Sequence, residues 1–193
     1  MLNKERQEEV VELCQHLIQK QSYSGHEDGV AGVLEEQLKK KGFDSVTVDK
    51  YGNVIGCIKG NRPGKKILFD GHIDTVPVTD ETEWQYPPFA AEIHDGKIYG
   101  RGTSDMKGAV AGFVTAAAAF AEDTKKDFAG EIYVAGVVHE ECFEGVAARE
   151  ISSFVKPEYV VIGEASQLNI KIGQRGRGEI VVETFGIPCH SAN

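Results

Sequence analysis

The stretch Lys66-Ile67-Leu68-Phe69-Asp70-Gly71-His72-Ile73-Asp74 decides how this chain reads. A short apolar run of this kind predicts a buried strand, and it stops in a histidine and an aspartate. Two residues apart in extended chain, His72 and Asp74 project to one side of the backbone. Three further apolar runs also lead into acids. Ile98 to Ser104 leads to Asp105, Ile132 to Val138 leads to His139, Glu140 and Glu141, and Tyr159 to Gly163 leads to Glu164.

Strands alternating with helical patterns predict an α/β fold. In open α/β sheets, ligands bind outside the carboxyl ends of the strands. Those ends deliver His72, Asp74, Asp105, Glu140, Glu141 and Glu164. Carboxylates crowded into one cleft repel one another, so either several take up protons or cations sit between them. Imidazole and carboxylate together suit zinc, and also manganese or cobalt. The competing reading, acids scattered over separate surface loops, requires four unrelated strands to stop in acids by chance.

Outward from that stretch, Val10, Leu13, Cys14, Leu17 and Ile18 recur at helical spacing and predict a helix from Lys4 to Lys20, with His16 an ordinary surface histidine. Ser24-Gly25-His26-Glu27 fits a capping box. The helix it opens carries Val30, Ala31, Leu34 and Leu38 and stops at Gly42, with Lys39-Lys40-Lys41 suiting its carboxyl end. Strands are expected over 43–50 and 53–59, and a turn at Asn61-Arg62-Pro63-Gly64. The loop 79–89 holds Trp84, Tyr86, Pro87 and Pro88, and the Pro-Pro pair excludes helix. A hairpin should turn at His94-Asp95-Gly96. Beyond it the pattern predicts a helix over 108–121, a strand over 131–138, a helix over 143–154 and a strand from Pro157 to Glu164. Two last strands are expected over 168–172 and 179–185.

The bulk numbers fit this picture. A chain of 193 residues with 41% hydrophobic content is long enough for one large domain with a sizeable core. The net charge of −9 argues against nucleic acid and anionic membrane as partners. Cys14, Cys57, Cys142 and Cys189 are scattered, with no C-x-x-C, as in reduced cytoplasmic proteins. The charged first residues do not resemble a secretory signal, and the apolar run 109–121 is too short to span a bilayer. Gly100-Arg101-Gly102 lacks the third glycine of a dinucleotide fingerprint and has Asp105 in its place, where a carboxylate would oppose a pyrophosphate. No phosphate-loop pattern and no G-x-S-x-G elbow occurs.

Four segments resemble, in order, the signatures of the co-catalytic zinc metallopeptidases, a family that includes acetylornithine deacetylase, succinyl-diaminopimelate desuccinylase, aminoacylases and di- and tripeptidases. They are 71–77 (GHIDTVP), 100–108 (GRGTSDMKG), 139–141 (HEE) and 163–166 (GEAS). The wording of 137–145 is most similar to a bacterial subgroup linked by name to selenium metabolism. The resemblance implies a three-layer catalytic domain with a central mixed sheet over 1–173. It also implies the start of an inserted lid, or dimerisation, domain over 174–193.

The resemblance further implies two divalent metal ions, most often zinc, with cobalt or manganese as alternatives. His72 and Glu164 would hold one metal, Asp105 would bridge both, and Glu141 would hold the second. Asp74 would fix the His72 tautomer through its far nitrogen. Glu140 would be the general base and acid in amide hydrolysis, and the peptide bond after Asp105 would be cis. Arg175 would hold a substrate carboxylate, and His190 would reach a partner subunit's site in a homodimer. The substrate would be a small peptide or an N-acyl amino acid. In the family the second half of the catalytic domain follows the lid and supplies a further histidine to the second metal. The sequence therefore carries a second expectation, a fragment that binds at most one metal or serves as an interaction remnant.

Overall fold

The computed structural model describes residues 3–143, 145–173, 176, 178 and 180–186. Helix α1 (Lys4–Ile18) starts at Asn3, whose side chain accepts the Arg6 N–H at 2.9 Å, and it buries Leu13, Cys14, Leu17 and Ile18. Helix α2 (Asp28–Lys40) buries Val30, Leu34 and Leu38, and the chain leaves it through Gly42 at φ +77°. Then come β1 (Ser45–Val48), β2 (Val54–Lys59) and β3 (Arg62–His72). A separate hairpin, β4 (Glu92–His94) and β5 (Lys97–Tyr99), turns through Asp95 and Gly96, both at positive φ. Helix α3 (Gly108–Thr124), β6 (Ala129–Val137), the single turn α4 (Glu140–Phe143), α5 (Val146–Val155) and β7 (Tyr159–Ile162) complete the described order.

Five strands form one mixed sheet in the order β1-β2-β6-β3-β7. The β3 strand runs parallel to both β6 and β7, while β1, β2 and β6 pair antiparallel. Alternation along the strands assigns the two faces. On one face, Gly71 of β3 lies under Met106 and Val110, and Phe69 meets Phe113 of α3 at 5.1 Å between ring centroids. A Cβ at residue 71 would come within 2.7 Å of the Met106 methyl and 2.8 Å of a Val110 methyl, so a larger residue here would force these side chains to shift. On the other face, Lys66 donates to the Val155 carbonyl of α5 at 3.1 Å and lies over Tyr133 of β6. Helices thus cover both faces, and the core runs through α1, α2, α3, the sheet and α5.

Several expectations need correction. The Arg62-Pro63-Gly64 segment is not a turn. It opens β3, with a register shift between Arg62 and Lys66, a span that includes Pro63, which has no N–H to give the ladder. The helix expected over 143–154 is α5, which starts three residues later; Gly145 at φ +87° stands immediately before it, and α4 is a separate turn ahead of it. The β5 strand lies outside the main sheet, so Asp105 comes from the turn following a hairpin rather than from a sheet strand. Among the described residues, neither 168–172 nor 180–185 is a strand. Leu168, Ile170, Ile172, Val182 and Phe185 are exposed, with no neighbouring strand to pair them.

Candidate metal centre

Register brings the site together. His72, the last residue of β3, is opposite Val137, the last residue of β6. Asp70 is opposite Ile162, the last residue of β7. Three strand ends therefore stop at one level, and the residues that follow them enter one space. Asp105 arrives from the wide turn Thr103–Lys107, entered through Gly102 at φ +89°. The Asp105–Met106 peptide bond is cis, as the resemblance implied.

His72 is the centre of the cluster and is 2% exposed. Its Nδ1 lies 2.9 Å from the Asp74 backbone carbonyl, which assigns an N–H to Nδ1 and turns Nε2 outward, where it donates to Asp105 while protonated and can ligate a metal once deprotonated. The Asp74 carboxylate, expected at this nitrogen, also faces it, with Oδ1 3.4 Å from Nδ1. Nε2 faces Asp105 Oδ1 at 2.9 Å, Glu164 Oε1 at 3.5 Å and Glu140 Oε2 at 4.0 Å. Donor atoms fall into two groups that could each hold a metal ion, one of His72, Glu140 and Glu164 and one of His72, Asp105 and Glu141. The donor chemistry fits a divalent cation of the zinc type. Both groups use the same imidazole, whose outward nitrogen can serve one ion at a time. Among the described residues no other histidine belongs to either group. His94 is bonded to Glu92 at 2.7 Å, and His139 faces Glu27 at 3.5 Å. Arg175 and His190 lie outside the described residues.

The charges show how this arrangement is held. Burial alone would lower His72, yet hydrogen bonds with Asp74 and Asp105 push it up to about 10. Burial also opposes ionisation of Asp74, but His72, the Ser24 hydroxyl and the N–H groups of Glu141 and Glu140 hold it below the usual carboxylate range. Glu141 is raised by burial and by the Asp105 charge. Glu164 is raised by burial and by Asp105 and Glu140, against the pull of His72. A set of acids that raise one another is the situation a bound cation relieves.

Asp74 is fully buried and does more than touch His72. Its Oδ1 accepts the Glu140 N–H and its Oδ2 the Glu141 N–H, each at 3.1 Å, so it caps the turn that carries both glutamates. Its Oδ2 also accepts the Ser24 hydroxyl at 2.7 Å. Ser24 and Glu27 are therefore not a capping box. Helix α2 has no side-chain cap, and Glu27 turns to the His139 N–H instead.

Two neighbours escaped the sequence reading. Asp70 lies on the same strand face as His72, two residues earlier, and burial with the Glu140 charge pushes it up to about 6 against the pull of His72. Period-two alternation back from His72 would have found it. Asn53 is fully buried and accepts the Val138 N–H at 2.9 Å. Its position after the Gly52 turn gave no signal of that contact. The aromatic loop, for its part, packs on the body. Tyr86 stacks on His94 at 3.8 Å, and the Arg101 guanidinium lies over Trp84 at 5.2 Å.

A profile described as Peptidase family M20/M25/M40 matches residues 68–188. Succinyl-diaminopimelate desuccinylase 2 of Ruegeria sp. (strain TM1040) is 33% identical, over 94% of this chain and 48% of its own length. The uncharacterized protein YgeY of Escherichia coli (strain K12) is 34% identical, over 98% of this chain and 47% of its own. The chain thus spans about half the length of the curated relatives it matches. Among solved structures, a metallo-carboxypeptidase of Sulfolobus solfataricus superposes with a TM-score of 0.69 at 23% identity, covering 80% of this chain and 37% of that one. The Bacillus subtilis YXEP protein, described as a dinuclear metal binding peptidase, gives 0.60 at 19% identity, covering 83% and 43%. At these identities the structural likeness speaks for the fold.

Proposed function

This chain belongs to peptidase family M20/M25/M40, and from that premise we propose that it forms the metal-holding part of a hydrolase cleaving an amide bond in a peptide or an N-acyl amino acid. The observation that carries this reading is the convergence of Asp105, Glu140, Glu141 and Glu164 on the outward nitrogen of a buried His72. The names of the relatives, a desuccinylase and a metallo-carboxypeptidase, agree with amide hydrolysis.

His72 and Glu164 would hold one divalent cation, Asp105 would stand between two, and Glu141 would hold the second. Zinc suits this donor set, with cobalt and manganese as alternatives. Such cations supply Lewis acidity, lowering the pKa of water and polarising a carbonyl. The chain's own residues do the rest. Asp74 holds the His72 ring through its carbonyl and the Glu140–Glu141 turn through its carboxylate. Glu140, with a side chain 38% exposed at the rim, takes a proton from the attacking water and returns it to the leaving amine. Residues 1–173 would be the catalytic segment and 174–193 the start of a lid. There Arg175 and His190 would meet substrate and, through a homodimer, the partner's site. Among the described residues no helix is long and apolar enough to cross a membrane. A cytoplasmic setting is part of the proposal, supported by the free thiols of Cys14, Cys57 and Cys142.

The test is Glu140→Gln, assayed for N-acyl amino acid hydrolysis beside a metal analysis. The reading expects turnover to fall by roughly 10²–10⁴-fold with metal content unchanged; unaltered turnover would remove Glu140 from its role. A second reading rests on the single shared imidazole: this length of chain holds one metal tightly and is catalytically impaired. Turnover by these 193 residues alone would exclude it.

A further inference from the structure

Four consecutive backbone N–H groups, from Val138 to Glu141, are each accepted by a side-chain oxygen from a distant segment. Val138 gives its N–H to Asn53 Oδ1 at 2.9 Å and His139 to Glu27 Oε1 at 3.1 Å. Glu140 and Glu141 give theirs to the two oxygens of Asp74. The acceptors are buried: Asn53 and Asp74 fully, and Glu27 all but 5%. His139 sits at φ +59°, a left-handed conformation that is uncommon for a residue with a side chain. The β6 ladder has stopped at Val137, and α4 engages the His139 backbone at its carbonyl, which accepts the Phe143 N–H at 3.0 Å, leaving its N–H to Glu27. A second set of bonds ties the Glu27 segment to the strand end. Ser22 Oγ donates to the Ile73 carbonyl at 2.7 Å, Thr75 N donates to the Ser22 carbonyl at 2.9 Å, and Ser24 donates to Asp74.

We infer that Glu27 is a positioning residue for the hydrolytic step: by accepting the His139 N–H from the amino end of α2, it fixes the bend that aims Glu140 and Glu141 into the metal centre, with Asn53 holding the residue before it. The inference rests on the proposed role of Glu140. Glu27 touches neither substrate nor metal ligands through its carboxylate. Its effect passes through the backbone, so reach matters more than charge. That distinguishes it from an electrostatic partner of His139, whose Nδ1 lies 3.5 Å from the same Glu27 oxygen.

The experiment compares Glu27→Gln with Glu27→Asp in the full-length protein. It uses an N-acyl amino acid as substrate and adds amide hydrogen exchange with metal chelated. Gln keeps an acceptor oxygen at full reach without the charge; Asp keeps the charge one methylene short. The expected order is parent, then Gln, then Asp. For Asp, kcat falls by about 10–100-fold while KM and metal content hold. Faster amide exchange at His139, Glu140 and Glu141 accompanies the Asp change, with Ile132 to Val134 unaltered. Glu27→Ala should fall with Asp; if it does not fold, the Gln–Asp order still decides. An Asp variant faster than Gln, or both equal to the parent, overturns the inference. Unaltered turnover in Glu140→Gln would instead strike the proposed base and leave the exchange result standing.

Discussion

The floor and the rim of the candidate centre are built differently. At the floor, His72 and Asp74 are almost wholly buried, and every contact described for them is with a complementary group: carbonyl, hydroxyl, backbone N–H or opposite charge. At the rim, the side chains of Asp105 and Glu164 are 57% and 47% exposed, and they share the space with further acids. Folding alone satisfies the floor. The rim is satisfied only when something positive stands between its carboxylates, and His72 alone does not suffice for four of them. The difference predicts that damage to the floor harms both folding and metal binding, while the rim limits the metal and the chemistry.

The largest effect should come from the one group the two regions share. His72→Ala removes the imidazole common to both donor groups and is expected to abolish tight metal binding and turnover together, read by calorimetry and a hydrolysis assay. Next is Asp74→Ala at the floor. It frees the Glu140 and Glu141 N–H groups and the His72 ring, and should lower metal affinity or activity by about 10–100-fold. The unpaired groups it leaves should also cost about 1–3 kcal/mol of stability, measured by urea denaturation. If stability is unchanged while activity falls, the floor is less structural than the geometry requires.

A cation should act in the opposite direction. At a hundred times its dissociation constant, zinc should stabilise the fold by about 2.7 kcal/mol, or roughly 5–10 °C in Tm for a chain of this size. Rim substitutions such as Glu164→Gln should shrink that gain while barely moving the melting of chelated protein. A loss seen equally in chelated protein would erase the distinction between rim and floor.

The smallest effect is a difference of sign with pH in chelated protein. Asp74 is held below its ordinary value of 3.8, so its contribution is present above that pH and is lost as pH falls through the folded value. Glu141 and Glu164 are raised above 4.5, so their ionisation costs stability as pH climbs through their folded values. Asp74→Asn should therefore flatten the acid limb, and Glu164→Gln the fall on the neutral side. Both limbs can be followed by thermal melts across pH. Identical responses in the two variants would contradict the opposed signs.

The floor and the rim were also unequally legible. Strand-end residues such as His72, Glu140 and Glu164 could be found because an apolar run ending in an acid is a local pattern. The α/β class followed from strand and helix alternation, and the mixed sheet from the family resemblance. The supports were not legible in the same way. Ser24 and Glu27 sit at capping-box spacing, yet their side chains serve Asp74 and His139, because buried partners half a chain away outcompete a solvent-side cap. Asn53 acts across 85 residues, and nothing in its neighbourhood marks the target. The strands expected over 168–172 and 179–185 are not seen at their described residues for a related reason: alternation supplies an apolar face, but a strand also needs a neighbour, and none lies beside these residues within the described chain.

The most direct test of the central claim is a calorimetric zinc titration of the metal-stripped chain at neutral pH, with circular dichroism on the same sample and His72→Ala alongside. The account predicts a folded chain with at least one tight site, lost in the variant, because the one imidazole belongs to both donor groups. A folded chain that binds no zinc, or binds it equally well without His72, would contradict it.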